Sequence, residues 1–173
     1  ELAEQLDEVD VNRVVHLVGP ARTALSIIAA AIVELSITAR GIADTMHWME
    51  LRPVGKQGAQ PHLGIDIAYI IAYRALTREQ RWLLHTLAVW AAPPATISRE
   101  HALTVARESG AVLEMPVTAD DLARLVALGL VALADLSVDE SDVIRSPSTY
   151  QRVALDPYVR AVAGSGLATW RAE

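Results

Sequence analysis

Valines at positions 11, 14, 15 and 18 recur at the spacing of one helix face, after the polar opening ELAEQLDEVD. This predicts a helix within Glu1–Val18, broken by Gly19-Pro20. From Ala21 to Ala39 the chain is apolar nearly all round, so the pattern predicts a helix covered by others on most sides. Gly41–Met49 continues helically. LRPVGKQGAQPHLG, Leu51–Gly64, is rich in Gly and Pro and reads as a loop. IDIAYIIAY, Ile65–Tyr73, then leads with little linker into a second group of elements.

That group opens with Thr77 and, three residues on, Gln80, a capping-box pattern for a helix whose buried stripe is Leu83, Leu84, Leu87 and Ala88. Pro93-Pro94 end it. A short strand is expected at Ala95–Ile97, and Ser98 should cap a helix running to about Ser109. Thr118 precedes Asp120 and Asp121, acids placed where the dipole of a new helix favours them. Its inner face is Leu122, Leu125 and Val126, and Gly129 ends it. Leu130–Leu136 and a run near Tyr150–Leu155 alternate as strands around an acidic tip, SVDESD. Asp156-Pro157 then starts a last helix, Pro157–Ala163 or longer. Helix, strand, helix, helix, strand, wing, strand is winged-helix order. The predicted fold is therefore mainly α: a small helical bundle over 1–75, a winged-helix domain with a short β-hairpin wing over 76–163, and a tail over 164–173.

Composition changes the picture chiefly through charge. The 173 residues carry a formal net charge of -6. Through Ala75 there are 6 basic and 9 acidic residues, and from Leu76 there are 9 and 12, so each part is -3. Neither hides a basic domain for nucleic acid or an anionic membrane. The longest apolar run, Thr23–Val33, is far short of the ~20 residues of a membrane span. The start has no basic leader and no Met, and its pattern is already mid-helix, so the chain reads as an excised piece of a longer, cytoplasmic protein. Hydrophobic residues make up 52% without a single Phe, which leaves Ala, Leu, Val, Ile and a few Trp to build the core. Lys56 is the only lysine, and this Ala/Val/Arg usage suits a high-GC bacterial genome. Absence of Cys excludes disulfides and thiolate metal sites.

No constellation reads as catalytic. His16, His47, His62, His85 and His101 never pair at helical ligand spacing, which argues against a zinc site. His85 beside the Leu83-Leu84 stripe reads as a packed or boundary residue, and His47 beside Trp48 as structural. Asp120-Asp121 and Asp139-Glu140 sit at a helix start and a wing tip, with no pocket signature beside them. There is no GxSxG or phosphate-cradling loop, and GSG at Gly164–Gly166 is too short to count. Trp82 and Trp90 read as core or inter-domain packing. DNA reading needs Arg, Asn, Gln or Lys aimed at base edges. The helix after Thr118 offers Arg124 against two acids, and Arg145 and Arg152 beside the wing are opposed by Asp139, Glu140 and Asp142. The pattern thus favours a helix and wing that face protein, with a DNA-binding regulator and a plain interaction scaffold as the alternatives.

IAYIIAYRALTREQRWLLHTLAVWAAPPATISREHALTVA, Ile67–Ala106, resembles the entry into the winged-helix domain of NB-ARC-type STAND ATPases. The family's line "sY.aL....r.lL..LavF" is matched by Tyr73, Leu76, Arg81, Leu84, Leu87, Ala88 and Val89. LVGPARTALSIIAA (Leu17–Ala30) is similar to its "GlPLAL" segment, and LDPYVRAVA (Leu155–Ala163) to its "lHplvRaya" segment. The resemblance implies an ARC1-like helical domain and a winged helix that clamp ADP in an inactive monomer, below a P-loop ATPase domain preceding Glu1. On activation such domains rotate, nucleotide exchanges, and chains oligomerise; bacterial relatives include antibiotic regulators and defence proteins. It implies no cofactor within this fragment, ADP or ATP in the parent, and adjacent domains of the same chain as partners. Gly19, Pro20, Arg22 and Asp156 become the nucleotide-facing positions. Two of them depart from the pattern: the family's proline falls at Arg22, with Pro20 two residues early, and its phosphate-binding histidine falls at Asp156. An ionised Asp accepts only, and at 4 Å two like charges repel by about 1 kcal/mol in water and roughly 4 at an effective dielectric of 20. The residues therefore predict that Asp156 caps a helix rather than holds ADP, and that the switch is independent of nucleotide or autoactive.

Overall fold

The computed structural model describes residues 7–50, 63–90, 96–135 and 151–170, with side chains for 7–47, 66–90, 96–134 and 151–164. The protein is mainly helical, with a small three-stranded antiparallel sheet. It divides into two compact units, Glu1–Ala75 and Leu76–Glu173.

The described residues of the first unit form four helices. α1 (Glu8–Val18) starts where the Asp7 carboxylate accepts from the Val9 N–H at 2.9 Å, with Glu8 and Asp10 in the first turn. It ends at Gly19, whose φ of 73° favours glycine and whose N–H closes on the Val15 carbonyl at 2.9 Å. α2 (Arg22–Leu35) buries Ala24, Ile27, Ile28, Ala31 and Ile32. The single helix expected over Ala21–Ala39 is broken: Ser36 turns left-handed at φ 52°, and Thr38 then accepts from the Gly41 N–H at 3.1 Å at the start of α3 (Ala39–Glu50). The Thr38 hydroxyl supplies a local backbone partner that competes with helix continuation. α4 (Leu63–Arg74) begins inside the segment expected to be loop. α1 packs on α3 and α2 on α4, around Val14, Ile27, Ile42, Met46, Ile67 and Ala68.

In the second unit α5 (Arg78–Trp90) is the axis. All seven residues from Trp82 to Ala88 are buried, because α6 (Arg99–Gly110), α7 (Ala119–Ala127) and α8 (Pro157–Trp170) pack on it. Polar side chains within that stretch find partners. Trp82 Nε1 donates to the Ala106 carbonyl at 3.0 Å and Thr86 to the Trp82 carbonyl at 2.9 Å. Thr77 and Gln80 form the expected reciprocal cap, with bonds of 3.1 and 3.3 Å. β1 (Ile97–Ser98), β2 (Ala132–Asp135) and β3 (Gln151–Ala154) form a sheet ordered β1-β3-β2. Val153, fully buried, lies opposite both Ile97 and Leu133. A one-turn 3₁₀ segment, Ala111–Leu113, follows α6. α8 runs on past Ala163 through Gly164 and Gly166 to Trp170, where a tail was expected.

Candidate functional site

Gly19, Pro20 and Arg22 share the short link between α1 and α2. Pro20 and Arg22 are exposed, and Arg22 opens α2. No side chain caps that helix: Ala21 stands at the N-cap and the first turn holds no acid. The start of α2 is therefore a partial positive charge joined to a cation. Beside it lies an apolar groove of about 370 Å³, walled by Val11, Val14 and Val15 of α1 and by Leu25, Ala29 and Val33 of α2. It exists because α1 and α2 each pack on another helix and touch one another sparsely. The sequence expects α2 to be covered on most sides; instead Val33 is 59% and Val15 44% exposed along this groove.

Asp156 belongs to the second unit. Its Oδ1 accepts from the Tyr158 N–H at 2.8 Å and its carbonyl from the Arg160 N–H at 2.9 Å, with Pro157 as first helical residue. That carboxylate is engaged as the N-cap of α8, in the manner the Asp-Pro pair predicts.

α7 begins with a capping box. The Asp121 carboxylate accepts from the Thr118 N–H and hydroxyl, each at 2.8 Å, and its other oxygen accepts from Gln80 at 3.3 Å. Leu122 and Leu125 face inward, while Asp120 and Ala123 are exposed. Three arginines of this unit turn to its own backbone. Arg107 donates to the Val117 carbonyl at 2.7 Å, Arg152 to Thr96 at 2.6 Å, and Arg160 to the Ala88 carbonyl at 2.9 Å. Arg152, expected to flank a wing, thus ties β3 to the residue before β1. The tip SVDESD and Arg145 lie outside the described residues, as do His62 and the side chain of Trp48.

His85, expected as a packed or boundary residue, is 1% exposed. Its Nδ1 stands 2.6 Å from the Ala163 carbonyl, linking α5 to α8. Burial holds its pKa below the ordinary value; the Ala163 bond works the other way, and Arg81 adds to the lowering. His47 and Trp90, expected as structural and packing residues, are exposed. Among the described residues no group of three or more His, Asp or Glu gathers as metal ligands, and no helix is long and apolar enough to cross a membrane. Comparison with family models, curated proteins and solved structures finds no match to the chain.

Proposed function

We propose that the chain is the non-catalytic regulatory section of a STAND-type signalling or transcription-regulatory ATPase: an ARC1-like helical domain followed by a winged helix. It acts through contacts between domains of its own polypeptide and through control of oligomerisation. The second unit supports the winged-helix reading by its connectivity: α5, β1, α6, α7, β2, β3 in turn, with β3 central in the sheet. The observation that carries the functional reading is the outward side of α7. Asp120 and Ala123 stand where a DNA reader needs donors, while Arg107, Arg152 and Arg160 are spent on the unit's own carbonyls. A helix of that kind is fit to meet protein.

In this reading Gly19, Pro20 and Arg22 are the positions nearest any nucleotide, and Asp156 is a cap that repels phosphate. The reading requires a P-loop, GxxxxGK[ST], upstream in the same polypeptide. Two measurements test it. A duplex-DNA gel shift should show no salt-dependent complex at low micromolar protein; such a complex would install the DNA-regulator alternative. ADP titrated into the parent protein should bind no more weakly after Asp156→Ala. Tight binding that this substitution abolishes would make Asp156 a ligand and end the reading.

A further inference from the structure

The geometry points to the groove between α1 and α2 as the site of a single-chain amphiphile with a carboxylate head, a fatty acid of medium length. Its walls are Val11, Val14, Val15, Leu25, Ala29 and Val33, which offer no hydrogen-bonding side chain. A polar occupant would lose its water there without gaining a partner, and an alkyl chain would not. A methylene fills about the space of one water, ~30 Å³ in the liquid, so the groove of about 370 Å³ accepts a tail on the order of ten carbons.

Charge sets the direction of that tail. The link Gly19–Ala21 brings the last turn of α1, with His16, beside the first turn of α2, with Arg22. At the opposite ends of these helices stand Glu8, Asp10 and Glu34. Arg22 is thus the arginine at one end of the helix pair, while at the other end these carboxylates stand with Arg13 and Arg40. Arg22 lies at helical spacing ahead of Leu25, Ala29 and Val33, so it heads the stripe that lines the groove. The ion pairs of this unit among the described residues, Arg13–Asp44 and Arg40–Asp10, do not involve it. With the uncapped start of α2 beside it, Arg22 offers a carboxylate a charge-assisted bond at the mouth of an apolar channel. The inference does not depend on the regulatory reading and survives its failure.

Decanoate and decanol titrated separately into the intact chain test it, followed by calorimetry and by the methyl NMR signals of Val15, Leu25 and Val33. Decanoate should saturate at one per chain with shifts confined to these methyls, and decanol should bind more weakly by on the order of tenfold. Arg22→Gln should bring decanoate down to the level of decanol and leave decanol unchanged. Ala29→Trp, which fills the groove from its exposed wall, should abolish both while the helical circular dichroism is kept. Equal affinities for the two probes, or an equal loss of both in Arg22→Gln, would overturn the head-group assignment. Failure of decanoate to saturate would overturn the site. A dimer that Ala29→Trp dissolves, or decanoate that leaves binding to phosphatidylglycerol vesicles uncontested, would assign the groove to a second copy or to a bilayer instead.

Discussion

The two units solve the same problem, a mostly aliphatic core without Phe, by different means. In the second, helix starts carry side-chain caps at Thr77, Ser98, Thr118 and Asp156, and its buried polar side chains, His85 and Thr86, have partners. Arg107, Arg152 and Arg160 reach across to backbone carbonyls of distant residues. In the first, Arg13 and Arg40 meet carboxylates at the surface, at 3.2 and 4.0 Å, and α2 has no cap. Directional bonds fix where each helix of the second unit begins and which face it presents. In the first unit Asp7 and Thr38 serve the starts of α1 and α3, but α2 begins without a side-chain cap and packs sparsely on α1, with a groove between them. Specific contacts make a rigid element, and a gap in an apolar core makes a receptive one.

The largest expected difference follows from truncating each unit's apolar side chains. Leu84 is completely buried at the axis of the second unit, and Leu84→Ala should cost about 3 kcal/mol through lost transfer and a residual cavity. Val15 lines the groove at 44% exposure, and Val15→Ala should cost less than ~1 kcal/mol. Urea unfolding, read by hydrogen exchange of α5 and of α1, gives both numbers. Equal losses would erase the contrast between a filled core and an open one.

Glycines sharpen it next. A Cβ on Gly110 would stand 2.8 Å from Trp82 Nε1 and 2.9 Å from Met115 Cβ. The indole is already committed to the Ala106 carbonyl, so it cannot swing aside without losing that bond. Gly110→Ala should therefore destabilise the second unit by about 2 kcal/mol, with a change in Trp82 emission. Gly164, also in the second unit, meets nothing within 4 Å. Gly164→Ala should stabilise α8 by ~0.5–1 kcal/mol through helix propensity alone. Shifts of the thermal midpoint in opposite directions for the two variants would confirm that close approach, not helix position, makes Gly110 obligatory.

His85 gives the second unit a pH response. Its folded pKa is lowered, so the unfolded chain takes a proton that the folded chain refuses. Stability therefore rises with pH across that window. Stability contributed by neutral His85 is whole above its ordinary value of 6.5 and is lost as pH falls from there toward the folded pKa. Thermal midpoints of the wild type should drop between pH 7.5 and 5.5, and His85→Gln, which keeps a donor for the Ala163 carbonyl, should flatten that drop. An unchanged slope in the variant would take His85 out of the balance.

How much of this was readable beforehand depends on the kind of signal. Caps were legible, because Thr77-x-x-Gln, Ser98, Thr118 and Asp156-Pro157 each supply an oxygen to known N–H groups one turn on. Strands were placed by alternation to within two residues, although the wing between them falls outside the described residues. The break at Ser36 was hidden by the apolar run on both sides, and α8 overran Gly164 because one glycine costs a helix less than a turn's worth of hydrogen bonds. The Gly19–Arg22 link was singled out only through the family resemblance, as nucleotide-facing. The groove beside it was not legible, since an all-apolar helix reads as buried whether or not a neighbour covers it.

The smallest expected effect converts one unit toward the other. Ala21 occupies the N-cap of α2 with φ -73° and ψ 102°, an extended conformation that serine adopts without strain. Ala21→Ser would place a hydroxyl where a first-turn N–H can donate to it, and should stabilise the first unit by ~0.5–1 kcal/mol. The gain should appear as slower exchange of the amides in the first turn of α2, with those of α5 unchanged. Decanoate should bind less well to this variant than to the wild type, because the serine oxygen answers the same N–H groups that would greet a carboxylate. A stabilised helix with undiminished decanoate affinity would leave Arg22 alone as the head-group contact, and the open start of α2 would then be a lapse in capping with no part in binding.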